Sequence, residues 1–215
     1  IASTWQNTLA CSRRERRAPL PAAYGEAFFA ELAEFLPHLR KAQFAGGEPF
    51  LGSEPLRVME MLAALDEPPE VTIITNGTQL TPRVRRIVER LRPRLIVSID
   101  GATPATYDRI RVGSHLPDVL ANLDAFIDLV GTDHVSITTC LMASNWHEFH
   151  DVLALAEERG LDVGVNVVRV PKEQSPYRMA PDDLVAMVRT LQATTARLTG
   201  PRLAAWDGHV AALAH

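Results

Sequence analysis

The sequence predicts an α/β fold on a parallel sheet that curves or closes, and two observations lead there. Short apolar, β-branched runs with few charges recur from Val71 onward, as strands buried on both faces of a parallel sheet do. Amphipathic segments of helical period fall between them, so strand, turn and helix repeat in order.

The runs at residues 71–75, 95–99, 135–141 and 163–168 read as strands, and a fainter one, Lys41-Ala-Gln-Phe44, stands ahead of a Gly-Gly pair. Residues 24–36 set Phe28, Phe29, Leu32, Phe35 and Leu36 at helical spacing. Further helices are expected over 54–65, 82–91, 118–130 and 146–159. Thr81-Pro82 reads as an N-cap with Pro at the first helical position, and Gly160 as a stop. A Pro-containing segment, 171–181, leads into a last helix over 181–199. No internal repeat or low-complexity tract is present.

Bulk properties narrow the function. The 215 residues suit one large α/β domain, 47% hydrophobic composition supplies its core, and 22% charge is ordinary. A net charge of -4 lacks the concentrated basic surplus of a nucleic-acid partner, so none is expected. No apolar run nears the ~18–20 residues that span a bilayer, and no signal peptide is visible. Two cysteines, Cys11 and Cys140, cannot build a disulfide framework, which predicts the reducing cytoplasm. A start at Ile rather than Met predicts an internal piece of a longer protein.

In parallel α/β folds ligands bind at the carboxyl ends of strands, so those positions matter most. After the first strand stands Gly46-Gly47-Glu48-Pro49. Its glycines allow positive φ and close approach of a ligand to main-chain groups, and Glu48 could accept hydrogen bonds from an ammonium group. The alternative is a plain turn. Thr75-Asn76-Gly77 follows the second strand and reads equally as a turn. Ser98 and Asp100 share a face at the end of the third strand. Either both point at one ligand, or Asp100 caps the helix from Thr103. Cys140 reads as a small buried hydrophobe. Asn166, on a buried strand, needs partners and is a ligand-facing candidate, while Asn145 is expected to cap the helix from Trp146.

Taken in order, Gly46-Gly47-Glu48-Pro49, Thr75-Asn76-Gly77, Ser98-Ile99-Asp100-Gly101 and the stretch from Tyr107 to Ser114 resemble the radical SAM superfamily. The nearest likeness is to members with twitch or SPASM-type extensions, over residues 24 to 170. The resemblance implies a partial (βα)6 barrel with its first strand missing, leaving about five. It further implies S-adenosylmethionine and a [4Fe-4S] cluster, whose electron cleaves that cofactor to a 5′-deoxyadenosyl radical able to take hydrogen from a substrate. By position, Gly46, Gly47, Glu48 and Pro49 would meet the methionine amino group, with Ser98 and Asp100 near the ribose or methionine part. Asn76 and Arg111 are further candidates for the pocket, and Asn166 for the adenine or substrate side.

The family's Cys-x-x-x-Cys-x-x-Cys triad is not in this sequence, and one isolated thiol cannot hold a cluster. The ligands are therefore expected upstream of Ile1, with no metal ligand in the chain and no activity from this piece alone. The organisation expected is a linker over 1–21, a core over 22–170, and a linker with helices over 171–215. The Arg13-Arg14-Glu15-Arg16-Arg17 run reads as a solvated segment. Implied partners are an electron donor and an unknown substrate, a peptide among the candidates. The competing class is a cluster-less relative that binds S-adenosylmethionine or a nucleoside, or acts as a scaffold. An unrelated barrel aldolase or metal hydrolase lacks support. Lys41 and Lys172 sit at element edges, and the histidines show no ligand spacing.

Overall fold

In the computed structural model, residues 24–193 are described, together with 204, 207–208 and 210–213. The expected linker with Cys11 and its arginine run lies outside the described residues, as do 194–199 of the last expected helix. In order, the elements are α1 (Glu26–Phe35), β1 (Lys41–Phe44), α2 (Ser53–Ala63), β2 (Glu70–Thr75), α3 (Pro82–Leu91) and β3 (Arg94–Ser98). There follow α4 (Pro104–Ile110), α5 (Leu116–Val130), β4 (Val135–Leu141), α6 (Phe149–Glu158), β5 (Asp162–Val167) and α7 (Pro181–Ala193). The five parallel strands form one sheet in the order β1-β2-β3-β4-β5. Five strands, each followed by a helix, are what the sequence predicts. Two compact units make up the chain, residues up to 96 with 122–134, and 97–121 with 135 onward.

In the first unit β1 pairs with β2 in parallel, Ala42 opposite Val71 and Phe44 opposite Ile73. Val71, Ile73 and Thr75 are buried while Thr72 and Ile74 are half-exposed, so β2 buries one face and leaves the other more open. Helix α3 shows how local sequence sets an element. Thr81 Oγ1 accepts the Val84 N–H (3.3 Å), Pro82 opens the first turn, and Val84, Ile87, Val88 and Leu91 form one buried face. The helix ends at Arg92 in the left-handed region, φ 44°.

The arginines of α3 are structural as well as solvated. Arg90 donates to the carbonyls of Ala63 and Leu65 at the end of α2, and Arg92 to those of Leu129 and Val130 at the end of α5. Both satisfy carbonyls that a helix end leaves open, and both place positive charge at the negative end of a helix. In α1 the apolar stripe is only partly covered. Phe29 and Leu36 are buried, with the Arg57 guanidinium 3.9 Å over the Phe29 ring, whereas Phe35 is 64% exposed.

In the second unit β4 pairs with β5 in parallel, Thr138 opposite Gly164 and Cys140 opposite Asn166. Leu141, Phe149, Leu153, Met187, Val188, Leu191, Val210 and Leu213 form a core against which Val163, Val165 and Val167 of β5 pack. The opposite face of β5, with Asp162, Gly164 and Asn166, is exposed. Most boundaries lie within two residues of expectation, and two segments differ in kind. The segment from Trp146 begins as a 3-10 turn, Trp146–Glu148, before α6, and the expected linker at 171–181 contains two such turns, Lys172–Gln174 and Pro176–Arg178.

Candidate functional site

At the carboxyl end of β1, Gly46 and Gly47 both take left-handed backbone, φ 88° and 57°. Consecutive left-handed residues strain any side chain with a Cβ, so this turn requires its glycines. Glu48 follows and is 2% exposed. Its Oε1 accepts the Phe50 N–H (3.1 Å) and the Thr75 hydroxyl (2.7 Å), and its Oε2 accepts the Asn76 N–H (2.6 Å). A buried carboxylate needs such donors, and these tie the loop after β1 to the loop after β2. Pro49 is buried, and the Phe50 ring stacks on Phe126 at 6.1 Å.

Asn76 meets Glu48 through its backbone. Its side-chain Oδ1 accepts the Thr78 N–H (2.9 Å) and hydroxyl (2.7 Å), which forms the turn the sequence suggests. Gly77, φ 74°, donates its N–H to Thr75 Oγ1, and its carbonyl accepts from Asn122 Nδ2 at 2.8 Å.

The second unit assembles a charged rim. Ser98 ends β3, half-buried. Asp100 is 5% exposed and does not cap the following helix. Thr103 takes that role, its hydroxyl accepting the Thr106 N–H. Asp100 Oδ2 accepts from Arg111 Nε (2.8 Å) and Nη2 (2.7 Å), and Oδ1 accepts the Cys140 N–H at 2.7 Å. Arg111 keeps about a quarter of its side chain exposed, and its guanidinium is held by a buried acid. Cys140 is half-buried rather than buried, and burial, then the Asp100 charge, push its thiol pKa up. Asn166 is exposed and donates weakly to Thr138 Oγ1 at 3.3 Å. It shares the β4–β5 face with Thr138 and Cys140 but does not touch Asp100 or Arg111 by any hydrogen bond described.

Two residues of this rim play roles the sequence reading missed. Asn145 caps nothing with its side chain. Its Nδ2 donates to the carbonyls of Asp100 (2.9 Å) and Cys140 (2.8 Å), and its Oδ1 accepts the Met142 N–H (2.8 Å). The oxygen that a cap would use is taken by the Met142 N–H, which leaves the 3-10 turn without it. Glu148 accepts from the Ala102 N–H (2.9 Å), the Thr103 N–H (3.1 Å), and the hydroxyls of Thr103 (2.7 Å) and Thr106 (2.6 Å). Burial raises its pKa, but those hydrogen bonds, Thr106 first, more than offset it and the net shift is downward. The Thr-x-x-Thr and Asn-x-x-Glu spacings were visible signals, though nothing in sequence says that they meet.

The residues fit the two implied groups differently. Among the described residues there is no set of three His, Cys, Asp or Glu able to hold a metal, and Cys140 is the one described cysteine. A [4Fe-4S] cluster, which takes several thiolates, therefore does not fit these residues. In the first unit, a turn of two left-handed glycines has no Cβ to obstruct its main-chain groups, which suits an ammonium; in the second unit, the partly exposed Arg111 suits a carboxylate.

The Radical SAM superfamily profile matches residues 11–156. A GTP 3′,8-cyclase of Pseudomonas savastanoi pv. phaseolicola is 33% identical over 125 residues, covering 58% of this chain and 37% of that protein. The GTP 3′,8-cyclase of Mycolicibacterium smegmatis is 37% identical over 87 residues, 40% of this chain and 24% of that one. The chain thus spans well under half the length of these relatives. Streptococcus suis SuiB bound to its precursor peptide SuiA superimposes with TM-score 0.57 at 13% identity, over 82% of this chain and 40% of that one. At that identity the likeness is one of fold.

Proposed function

Because the chain belongs to the radical SAM superfamily, we propose that it is the S-adenosylmethionine-binding core of a cytoplasmic radical enzyme. Members of that superfamily use S-adenosylmethionine and a [4Fe-4S] cluster. Bound there, S-adenosylmethionine supplies the 5′-deoxyadenosyl group that abstracts hydrogen from substrate. The observation behind this reading is the Gly46-Gly47 turn at the end of β1, held to the β2 loop by buried Glu48. Main-chain groups of Gly46 and Gly47 take the methionine ammonium. Glu48 fixes the turn from behind and lends it negative potential while accepting from Phe50, Thr75 and Asn76. Asn76 and Pro49 shape the same turn. Arg111, oriented by Asp100, takes a carboxylate or hydroxyl oxygen, while Ser98 and Asn166 line the ribose and adenine or substrate side.

The curated relatives are named for GTP, and the solved neighbour holds a peptide. We take GTP as the first substrate to test, since it comes from sequence identity above 30% rather than from fold alone. An electron donor is required by the chemistry. The test is direct. The full-length protein, purified without oxygen, should bind S-adenosylmethionine in a calorimetric titration and form 5′-deoxyadenosine with a chemical reductant. Binding without any 5′-deoxyadenosine would instead support the cluster-less, S-adenosylmethionine-binding relative.

A further inference from the structure

We propose that Asn145 and Glu148 are positioning residues: through the loop after β3 they set where Asp100 stands, and through Asp100 how Arg111 is presented. The inference rests on the reading above, in which Asp100 and Arg111 face S-adenosylmethionine.

Both residues are committed mainly to the protein's own loop. The Asn145 amide uses both donor hydrogens and its oxygen on the Asp100, Cys140 and Met142 backbone. Each Glu148 oxygen accepts two hydrogen bonds, which fills the ordinary capacity of a carboxylate. Both are buried, 5% and 9% exposed. Being buried, they act on a bound molecule through what they hold, and what they hold is one loop at both ends. Asn145 grips the carbonyl of Asp100 where the loop begins; Glu148 grips Ala102, Thr103 and Thr106 where α4 begins. Arg109 closes the clamp from the α4 side, donating to the Ser144 carbonyl at 3.2 Å.

The loop is also too close to α4 to move alone. A Cβ at Gly101 would stand 2.8 Å from the Tyr107 nitrogen and 3.1 Å from Thr106 Cγ2. Displacing the start of α4 thus displaces Asp100, whose side chain is the described partner of Arg111. A network with every member satisfied is rigid, and one missing acceptor leaves buried donors to rearrange.

The experiment is a titration of S-adenosylmethionine into the full-length protein purified without oxygen, with the thermal midpoint recorded for each variant. Glu148→Gln should raise Kd about tenfold, and Thr106→Val, which removes one hydroxyl at nearly constant volume, about threefold. In combination with Asp100→Asn, Glu148→Gln should add no more than about a twofold further loss, because both act on one element. A fold-only role would lower the midpoint and leave Kd of the folded protein unchanged, and that result overturns the proposal, as do factors that simply multiply. Should Glu148→Gln fail to fold, Thr106→Val decides by the same criterion. Asp100→Asn with undiminished affinity would overturn the pocket reading itself. Asp100→Asn weakened but Glu148→Gln and Thr106→Val unchanged would overturn this inference alone.

Discussion

The rims of the two units solve one problem with different displays. In each, a buried carboxylate in a strand-end loop accepts a backbone N–H from the next strand or its end: Glu48 from Asn76 just after β2, and Asp100 from Cys140 within β4. In the first unit that carboxylate stands behind a glycine turn, and what it offers outward is main chain. In the second it holds an arginine whose side chain is partly exposed, and a further carboxylate, Glu148, holds the loop. The contrast separates two ways of being polar at a strand end. Glu48 and Glu148 are buried and set geometry, whereas Arg111 keeps part of its side chain exposed. Rims of the first kind should fail by unfolding locally, and rims of the second kind by losing a ligand.

Substitutions can break or sharpen that distinction. The largest effect is expected from Glu48→Ala, which leaves the Thr75 hydroxyl and the N–H groups of Phe50 and Asn76 short of an acceptor. Denaturant unfolding should show a loss of about 3 kcal/mol, with S-adenosylmethionine binding falling in parallel. Asp100→Asn should cost about 2 kcal/mol of stability, the partial exposure of Arg111 softening the loss of a buried partner. Its effect on S-adenosylmethionine affinity should exceed that of any comparably destabilising change in the helical core. Gly47→Ala places a Cβ in the left-handed region and should cost about 1–2 kcal/mol in the same unfolding measurement.

A smaller effect comes from pH. The Glu148 pKa lies below its ordinary value of 4.5 in the fold. Its contribution is therefore present above that value and is lost as pH falls through the lowered pKa. Wild-type stability should drop on acidification in that range, and the drop should shrink in Glu148→Gln. Asn166→Ala should be smallest, within about 0.5 kcal/mol in stability because the residue is exposed. Any change it makes in cofactor or substrate affinity would then be a binding effect.

The sheet was legible in the sequence because buried parallel strands write themselves as β-branched runs. All five runs became strands, and Thr81-Pro82 became the cap of α3. The glycine turn was legible for a similar reason, since two adjacent glycines at a strand end have few other uses. The partners of the polar residues were not legible. Asn145 read as a helix cap because local spacing says so, and the carbonyls that claimed it belong to residues 45 and 5 positions away. Glu148 went unnoticed for the same cause, since its donors lie more than 40 residues upstream. Sequence periodicity reports local geometry and burial, whereas a loop brace depends on which strand ends become neighbours. The apolar stripe of α1 erred in the other direction, for Phe35 fits the helical period yet stays exposed.

The short contacts at Asn76 and Cys140 also make the protein its own instrument. An amide proton donated to a carboxylate oxygen at 2.6 or 2.7 Å is strongly deshielded and exchanges slowly with solvent. The Asn76 and Cys140 amide resonances should therefore lie downfield, so a single magnetic-resonance spectrum can follow the two braces separately while cofactor, acid or a substitution acts on either.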